Sequence, residues 1–240
     1  MPEFDESRWA DKEFARKYLE AADVQIVERR RLLRILQSFC RYFLGDKKGN
    51  RALDLGCGDG VLTAALLEVD GHISATLVDG SEEMLHRAKK RLAGFSSLRF
   101  IRANFQELLR GKVQLPAFDL VVSAFAVHHL TTDEKKALFG FAYSRLGEGG
   151  AFVNLDVVLA PTDALKGWYL KLWEEWIAEK QTALELAGDY TSIIRNYKEP
   201  NHYRNLDTIT DQLTALKEAG FKDVDCFYSY GVFVVYGGRK

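Results

Sequence analysis

Cysteine and proline are scarce in this chain, neither charge sign predominates, and no apolar run is long. Three cysteines, Cys40, Cys57 and Cys226, are scattered over 240 residues, which excludes a disulfide scaffold and points to a reduced compartment. Four prolines beside 47% hydrophobic residues exclude a disordered or fibrous chain. Thirty-three basic residues against 34 acidic ones leave a net charge of -1, so no global positive field recruits nucleic acid or an anionic membrane. The most apolar stretch, 118–127, is broken by Asp119 and Ser123 and has about half of the roughly 20 residues that a bilayer requires. The opening Met1-Pro2-Glu3-Phe4-Asp5-Glu6 lacks the basic-then-apolar order of a secretory leader. These absences predict a single cytoplasmic domain over residues 1–240 that does not enter a membrane.

What is present alternates between strand and helix signals. Residues 4–20 carry Phe4, Trp9, Phe14 and Tyr18 at a loosely helical spacing, and residues 1–22 are expected to form a lid. Val24 to Leu44 sets Leu32, Leu36, Phe39 and Phe43 on one helical face. Strands are expected at 51–55, 74–78, 98–101, 118–124 and 151–155, with helices at 61–69 and 82–93. Ser81 is the expected N-cap of the second of these helices, and Thr131 with Glu134 is spaced as a capping box. Gly147, Gly149 and Gly150 are expected to end the helix that the box opens. Asp207 or Thr208 can cap a last helix ended by Gly220. Strands at 224–229 and 232–236 are then joined by Tyr230-Gly231, too short for anything but an antiparallel pair. The sum is a three-layer α/β fold with a mostly parallel seven-stranded sheet and a C-terminal antiparallel hairpin. Residues 157–206 are a helical, aromatic-rich insert or cap that the sheet does not need.

Gly56-Cys57-Gly58-Asp59-Gly60 follows a strand and opens a helix, a context in which backbone can approach a ligand closely. A dinucleotide fingerprint would have its third glycine at position 61, where Val61 stands, and no lysine follows to meet a terminal phosphate. Asp54, at the strand end just before the loop, would sit badly beside a pyrophosphate and well beside a cationic ligand. That points to S-adenosylmethionine, with NAD the rival. Asp79, at the tip of the next strand, can accept from both hydroxyls of a ribose.

The segments Ala52 to Gly60, Val78 to Ser81, Asn104-Phe105, Phe118 to Ser123, His128-His129-Leu130 and Leu146 to Gly150 together resemble the class I S-adenosylmethionine-dependent methyltransferases, whose fold is Rossmann-like. The resemblance covers roughly 24–156, and the final helix and hairpin complete that topology. Within the family the chain is similar to a small-molecule and tRNA-wobble-uridine-related group with a similar His-His-Leu segment. The resemblance implies that Asp54 and the backbone of Gly56, Cys57, Gly58 and Gly60 hold the methionine part and that Asp79 and Gly80 meet the ribose. It also implies Ser81 and Met84 flanking the adenine, Asn104 accepting from the adenine amine beside Phe105, and Ala124 and Phe125 near the reactive methyl.

Methyl transfer needs orientation more than an obligatory base. For a hydroxyl or amine acceptor, His128 or His129 could take the proton; each could equally hold the loop. Adjacent histidines without companion ligands do not predict a metal. In the insert, which also holds Trp168, the residues Tyr169, Trp173 and Trp176 fall on one helical face, readable as a packing face, a homodimer contact or a substrate lid. In the lid reading Trp168, Tyr169, Trp173, Arg195, Tyr197, His202 and Tyr203 meet the acceptor, joined by Trp9 and Tyr18. The clusters Arg29, Arg30, Arg31, Arg34 and Lys89, Lys90, Arg91 are expected to face solvent, with no interleaved stacking platform to favour nucleic acid. The expected activity is methylation of a small molecule. The alternatives are a macromolecular methyltransferase, an enzyme making an S-adenosylmethionine derivative, and a noncatalytic cofactor binder.

Overall fold

The computed structural model describes residue 9 and residues 11–45, 49–198 and 205–240, apart from the side chain of Asn196. Seven strands form one sheet: β1 (Arg51–Leu55), β2 (Ser74–Asp79), β3 (Leu98–Arg102), β4 (Phe118–Ala124), β5 (Leu146–Val157), β6 (Lys222–Tyr230) and β7 (Phe233–Arg239). Their spatial order is β3-β2-β1-β4-β5-β7-β6. The first five pair in parallel, and β7 runs antiparallel between β5 and β6. The order reverses at β1, between β2 and β4, and the carboxyl ends of these strands open on one crevice, the place where open α/β sheets bind ligands.

Both faces of the sheet are covered, which is why the central strands read as continuous apolar runs rather than alternating ones. Ala52, Leu77, Val122 and Val153 pack on α2 (Arg29–Phe43), α3 (Val61–Val69) and α4 (Glu82–Arg91). Leu53, Leu55, Val121 and Phe152 face α6 (Thr132–Arg145), with the short α5 (Phe105–Leu109) beside them. On this same face lies α9 (Ile209–Glu218). Ser81, Thr131 and Thr208 cap their helices as their spacing predicts, the last two within complete capping boxes.

Three expectations about elements need correction. Residues 24–44 are not one helix: α1 (Lys12–Gln25) ends first, and Ile26 is extended while Glu28 takes a left-handed conformation before α2 begins. The β-branched pair Ile26-Val27 is buried, and burying it requires the chain to turn there. Residues 147–150 do not separate helix from strand but belong to β5, which starts at Leu146 with a register shift against β4. The hairpin turn is Gly231-Val232, and β7 continues past Tyr236 to Arg239.

The insert forms α7 (Asp163–Ala183) and α8 (Ser192–Lys198). Its aromatic face docks on the end of α1. Trp173 Nε1 donates to Gln25 O at 2.7 Å, and Trp176 Nε1 donates to Val24 O at 3.2 Å. The last carbonyls of a helix have no intrahelical donor, and the two indoles supply one each. Trp173 also packs edge-on against Phe233, with ring centroids 4.9 Å apart.

Candidate active site

The loop after β1 is pinned to the tip of β2. Gly56 N and Cys57 N both donate to Val78 O, at 2.8 and 3.0 Å, and Gly58 N donates to Asp79 Oδ2 at 2.8 Å. Gly56 has φ +67, and a Cβ there would lie 2.5 Å from the Ala126 Cβ, so both conformation and contact require glycine. Gly58 has φ +53 but open space where a Cβ would point, which leaves backbone accessible to a ligand. Arg91 pairs with Asp59 and also donates to its carbonyl, tying the outer corner of the loop to α4.

Two carboxylates stand at adjoining strand ends. Thr63 Oγ1 donates to Asp54 Oδ2 at 2.6 Å, whereas the buried Oδ1 of Asp54 has no hydrogen-bond partner. Burial pushes the Asp54 carboxyl up to about 7, opposed by the Thr63 hydrogen bond and reinforced by the nearby Asp79 charge. Asp79 is raised by burial too, against the lowering effect of N–H donors from Ser81 and Gly58. A ligand with positive charge would relieve both groups. Burial likewise raises the Cys57 thiol, which leaves it unreactive at neutral pH.

These groups open on a cavity of about 600 Å³, a size typical of cofactor sites. From the cofactor set predicted by sequence, the cavity wall includes Asp54, Gly56, Cys57 and Gly58 from the first loop, with Asp79, Gly80 and Met84 from the second unit. Asn104, Phe105, Ala124 and Phe125 complete that side, while Trp9 and Tyr18 close it from the N-terminal segment. Gly60 is not in the wall; it abuts Ala88 and Leu92 of α4. Ser81 is also withdrawn, its hydroxyl capping α4 and its N–H donating to Asp79 Oδ1 at 2.8 Å. Asn104 reaches the cavity, but its Oδ1, the expected adenine acceptor, already accepts from Glu107 N at 2.9 Å as the N-cap of α5.

The histidines part company. His128 is buried and outside the wall. Its Nδ1 lies 2.5 Å from Asp156 Oδ1, and its backbone N–H donates to Asp156 Oδ2. His129 lines the cavity, and its Nε2 accepts from Trp9 Nε1 at 3.1 Å. Asn205 Nδ2 donates to His129 O at 2.8 Å and joins the same wall.

The described insert residues assigned to the acceptor by sequence do not reach the cavity. Trp168 is 56% exposed, and Tyr169 packs at the Gly231 turn. Trp173 and Tyr197 are buried, with the Tyr197 hydroxyl donating to Val158 O. Arg195 pairs with Asp189 on the surface. The reason is the packing just described: the face bears on α1 instead of the crevice. His202 and Tyr203 lie outside the described residues.

A methyltransferase-domain family model matches residues 53–152, the stretch holding the glycine loop, Asp79, Asn104 and both histidines. An uncharacterized methyltransferase from Anoxybacillus flavithermus is 30% identical over 155 residues, covering 62% of this chain and 66% of its own length. The chain belongs to the class I S-adenosylmethionine-dependent methyltransferases. A carboxy-S-adenosyl-L-methionine synthase from Methylococcus capsulatus is 26% identical over 196 residues, covering 77% of this methyltransferase-family chain and 74% of the synthase. Among solved structures, an O-methyltransferase family protein from Burkholderia thailandensis superposes with a TM-score of 0.67 at 18% identity. That match covers 98% of this chain and 62% of the other, and it supports the fold alone. The chain thus spans just under two thirds of the Anoxybacillus relative.

Among the polar residues of the cavity wall to which the sequence assigned no site role are Arg29, Asp59 and Asn205. Arg29 was grouped with solvent-facing arginines, but its side chain is only 18% exposed; it lines the cavity and donates from Nη1 to Asp23 at 2.6 Å. The signal lay in the break before α2, which turns the first residue of that helix inward. Asp59 lies within the glycine loop, where the motif itself gives it no role, and it joins the wall while its carboxylate pairs with Arg91. Asn205 had no motif around it; only tertiary packing brings it to His129.

Proposed function

We propose that the protein transfers a methyl group from S-adenosylmethionine to a small-molecule acceptor. The observation that carries this reading is the orphaned, buried Oδ1 of Asp54, a residue that lines the same cavity as the glycine loop and Asp79. A pyrophosphate would meet repulsion there, whereas an ammonium or sulfonium supplies the missing partner. In this reading Asp54 and the backbone at Gly56 and Gly58 hold the amino-acid part, and Arg29 pairs with its carboxylate. Asp79 accepts from the ribose, and Met84 and Phe105 flank the base. When bound, the cofactor supplies an electrophilic methyl on sulfur. The chain contributes orientation, exclusion of water by Trp9 and Tyr18, and a proton acceptor in His129.

A carboxylated cofactor derivative, the product named for the Methylococcus relative, would bring a second anion. Arg29 is the one Arg or Lys among the described lining residues, and engagement with the amino-acid carboxylate leaves no further cation for it. This favours methyl transfer. Incubation with S-adenosylmethionine and a panel of small hydroxyl and amine acceptors tests the proposal. Accumulation of S-adenosylhomocysteine with a methylated acceptor is expected; retention of intact S-adenosylmethionine throughout would identify a noncatalytic binder.

A further inference from the structure

Charge is unevenly distributed around the cavity. Among the described lining residues the charged ones are Arg29, Asp54, Asp59 and Asp79. The three carboxylates belong to the glycine loop and the ends of β1 and β2, and Arg29 and Asp59 carry their own ion partners, Asp23 and Arg91. Beyond β4 the described wall includes Trp9, Tyr18, Phe125 and Leu130, with His129, Thr131 and Asn205 as polar groups. Asp156 lies behind His128, outside this wall, and accepts from His128, Asn154 and Val157. Among the described lining residues on that side there is thus no carboxylate for an ammonium and no cation for a carboxylate.

The indole of Trp9 marks where a donor sits on His129. Its Nε1 is 3.1 Å from His129 Nε2, and its ring stands edge-on to Phe14 and Tyr18, with centroids 5.1 and 5.0 Å away. The aromatic ring thus packs against Phe14 and Tyr18 while its one N–H is aimed at an imidazole nitrogen. We infer that the acceptor is an uncharged, flat aromatic alcohol whose hydroxyl replaces the Trp9 N–H on His129 Nε2. This rests on the methyl-transfer reading. In the reaction the acceptor oxygen bonds to the methyl carbon as the methyl–sulfur bond breaks, the sulfonium becomes a neutral thioether, and the hydroxyl proton goes to His129 Nε2. Trp9 is a positioning residue that holds the imidazole until the acceptor takes its place.

The test compares three probes of one shape, 2-naphthol, 2-naphthoate and 2-naphthylmethylamine, on the full chain with and without S-adenosylhomocysteine. Equilibrium dialysis gives affinity. The indole N–H resonance of Trp9, identified by its loss in Trp9→Phe, reports displacement. The naphthol should bind about tenfold or more tighter than either charged probe, shift that resonance, and bind His129→Phe about three- to tenfold more weakly. Trp9→Phe, which removes the competing donor and keeps a ring, should retain or tighten naphthol binding. Equal or tighter binding of a charged probe, no binding of the naphthol, or naphthol binding with the Trp9 resonance unmoved would overturn the inference. Loading of S-adenosylhomocysteine is read separately on the same samples. Its failure beside normal naphthol binding would remove the methyl-transfer reading and leave an aromatic-alcohol binding site.

Discussion

Thr63 donates its hydroxyl to one oxygen of Asp54 at 2.6 Å and leaves the other oxygen buried and unpartnered. An aspartate ordinarily titrates near 4, and burial raises this one to about 7, so the ligand-free fold prefers the protonated form. That preference stabilises the protein fully below about pH 4 and is lost as pH rises to 7; above that, the fold carries a buried, uncompensated anion. Asp54→Asn keeps an acceptor for Thr63 without the charge. At pH 8 it is expected to stabilise the ligand-free protein by about 2 kcal/mol or more, read from urea midpoints. At pH 4 the two proteins should unfold nearly alike.

The glycine loop separates two costs. Gly56→Ala forces a methyl against Ala126 at a left-handed residue, and a loss of about 3 kcal/mol or more is expected. Gly58→Ala meets open space, so only the backbone preference, about 1 kcal/mol, is lost. The second variant should fold well yet bind the cofactor poorly, because its methyl enters the cavity. Denaturant midpoints beside cofactor affinity distinguish the two.

The histidine pair is expected to divide between stability and chemistry. Asp156 holds His128 through both its ring and its backbone N–H, and Asp156→Ala would strand several buried donors at a cost of about 3 kcal/mol. His129→Ala should leave thermal stability within about 1 kcal/mol while methyl transfer falls by about 10²-fold or more. Equal turnover in His129→Ala would end its role as proton acceptor.

Trp173 should act on the cavity at a distance. It caps the end of α1, the helix that carries Tyr18, so Trp173→Leu is expected to cost about 3 kcal/mol. Proteolysis should then open α1 before the sheet. Simultaneous loss of both elements would show that the insert stabilises the whole fold instead of the lid.

Much of the fold was legible because its rules are local. The burial of both sheet faces, the capping boxes at Thr131 and Thr208, and the short hairpin each write themselves into a few neighbouring residues. The strand tips placed one side of the cavity for the same reason: Asp54, the glycine loop and Asp79 are fixed by a strand–loop–helix pattern. The opposite side of the cavity was not legible. Tyr169 and Trp173 share their spacing with any packing face, and nothing local says that the indole of Trp173 meets Gln25 O instead of a ligand. Arg29 looks like its solvent-facing neighbours until the chain turns at Glu28, and Asn205 reaches His129 only through the tertiary fold.

The most direct test titrates S-adenosylmethionine into the protein by calorimetry between pH 5.5 and 8.5, alongside Asp54→Asn, Asp79→Ala and NAD. A cationic ligand favours ionised Asp54, so affinity should strengthen as pH rises through about 7, with proton release on binding below that point. Asp54→Asn should weaken binding and flatten the pH dependence, and Asp79→Ala should weaken it independently. Absence of binding, tighter binding of NAD, or a wild-type pH profile in Asp54→Asn would contradict the assignment of this cavity to S-adenosylmethionine.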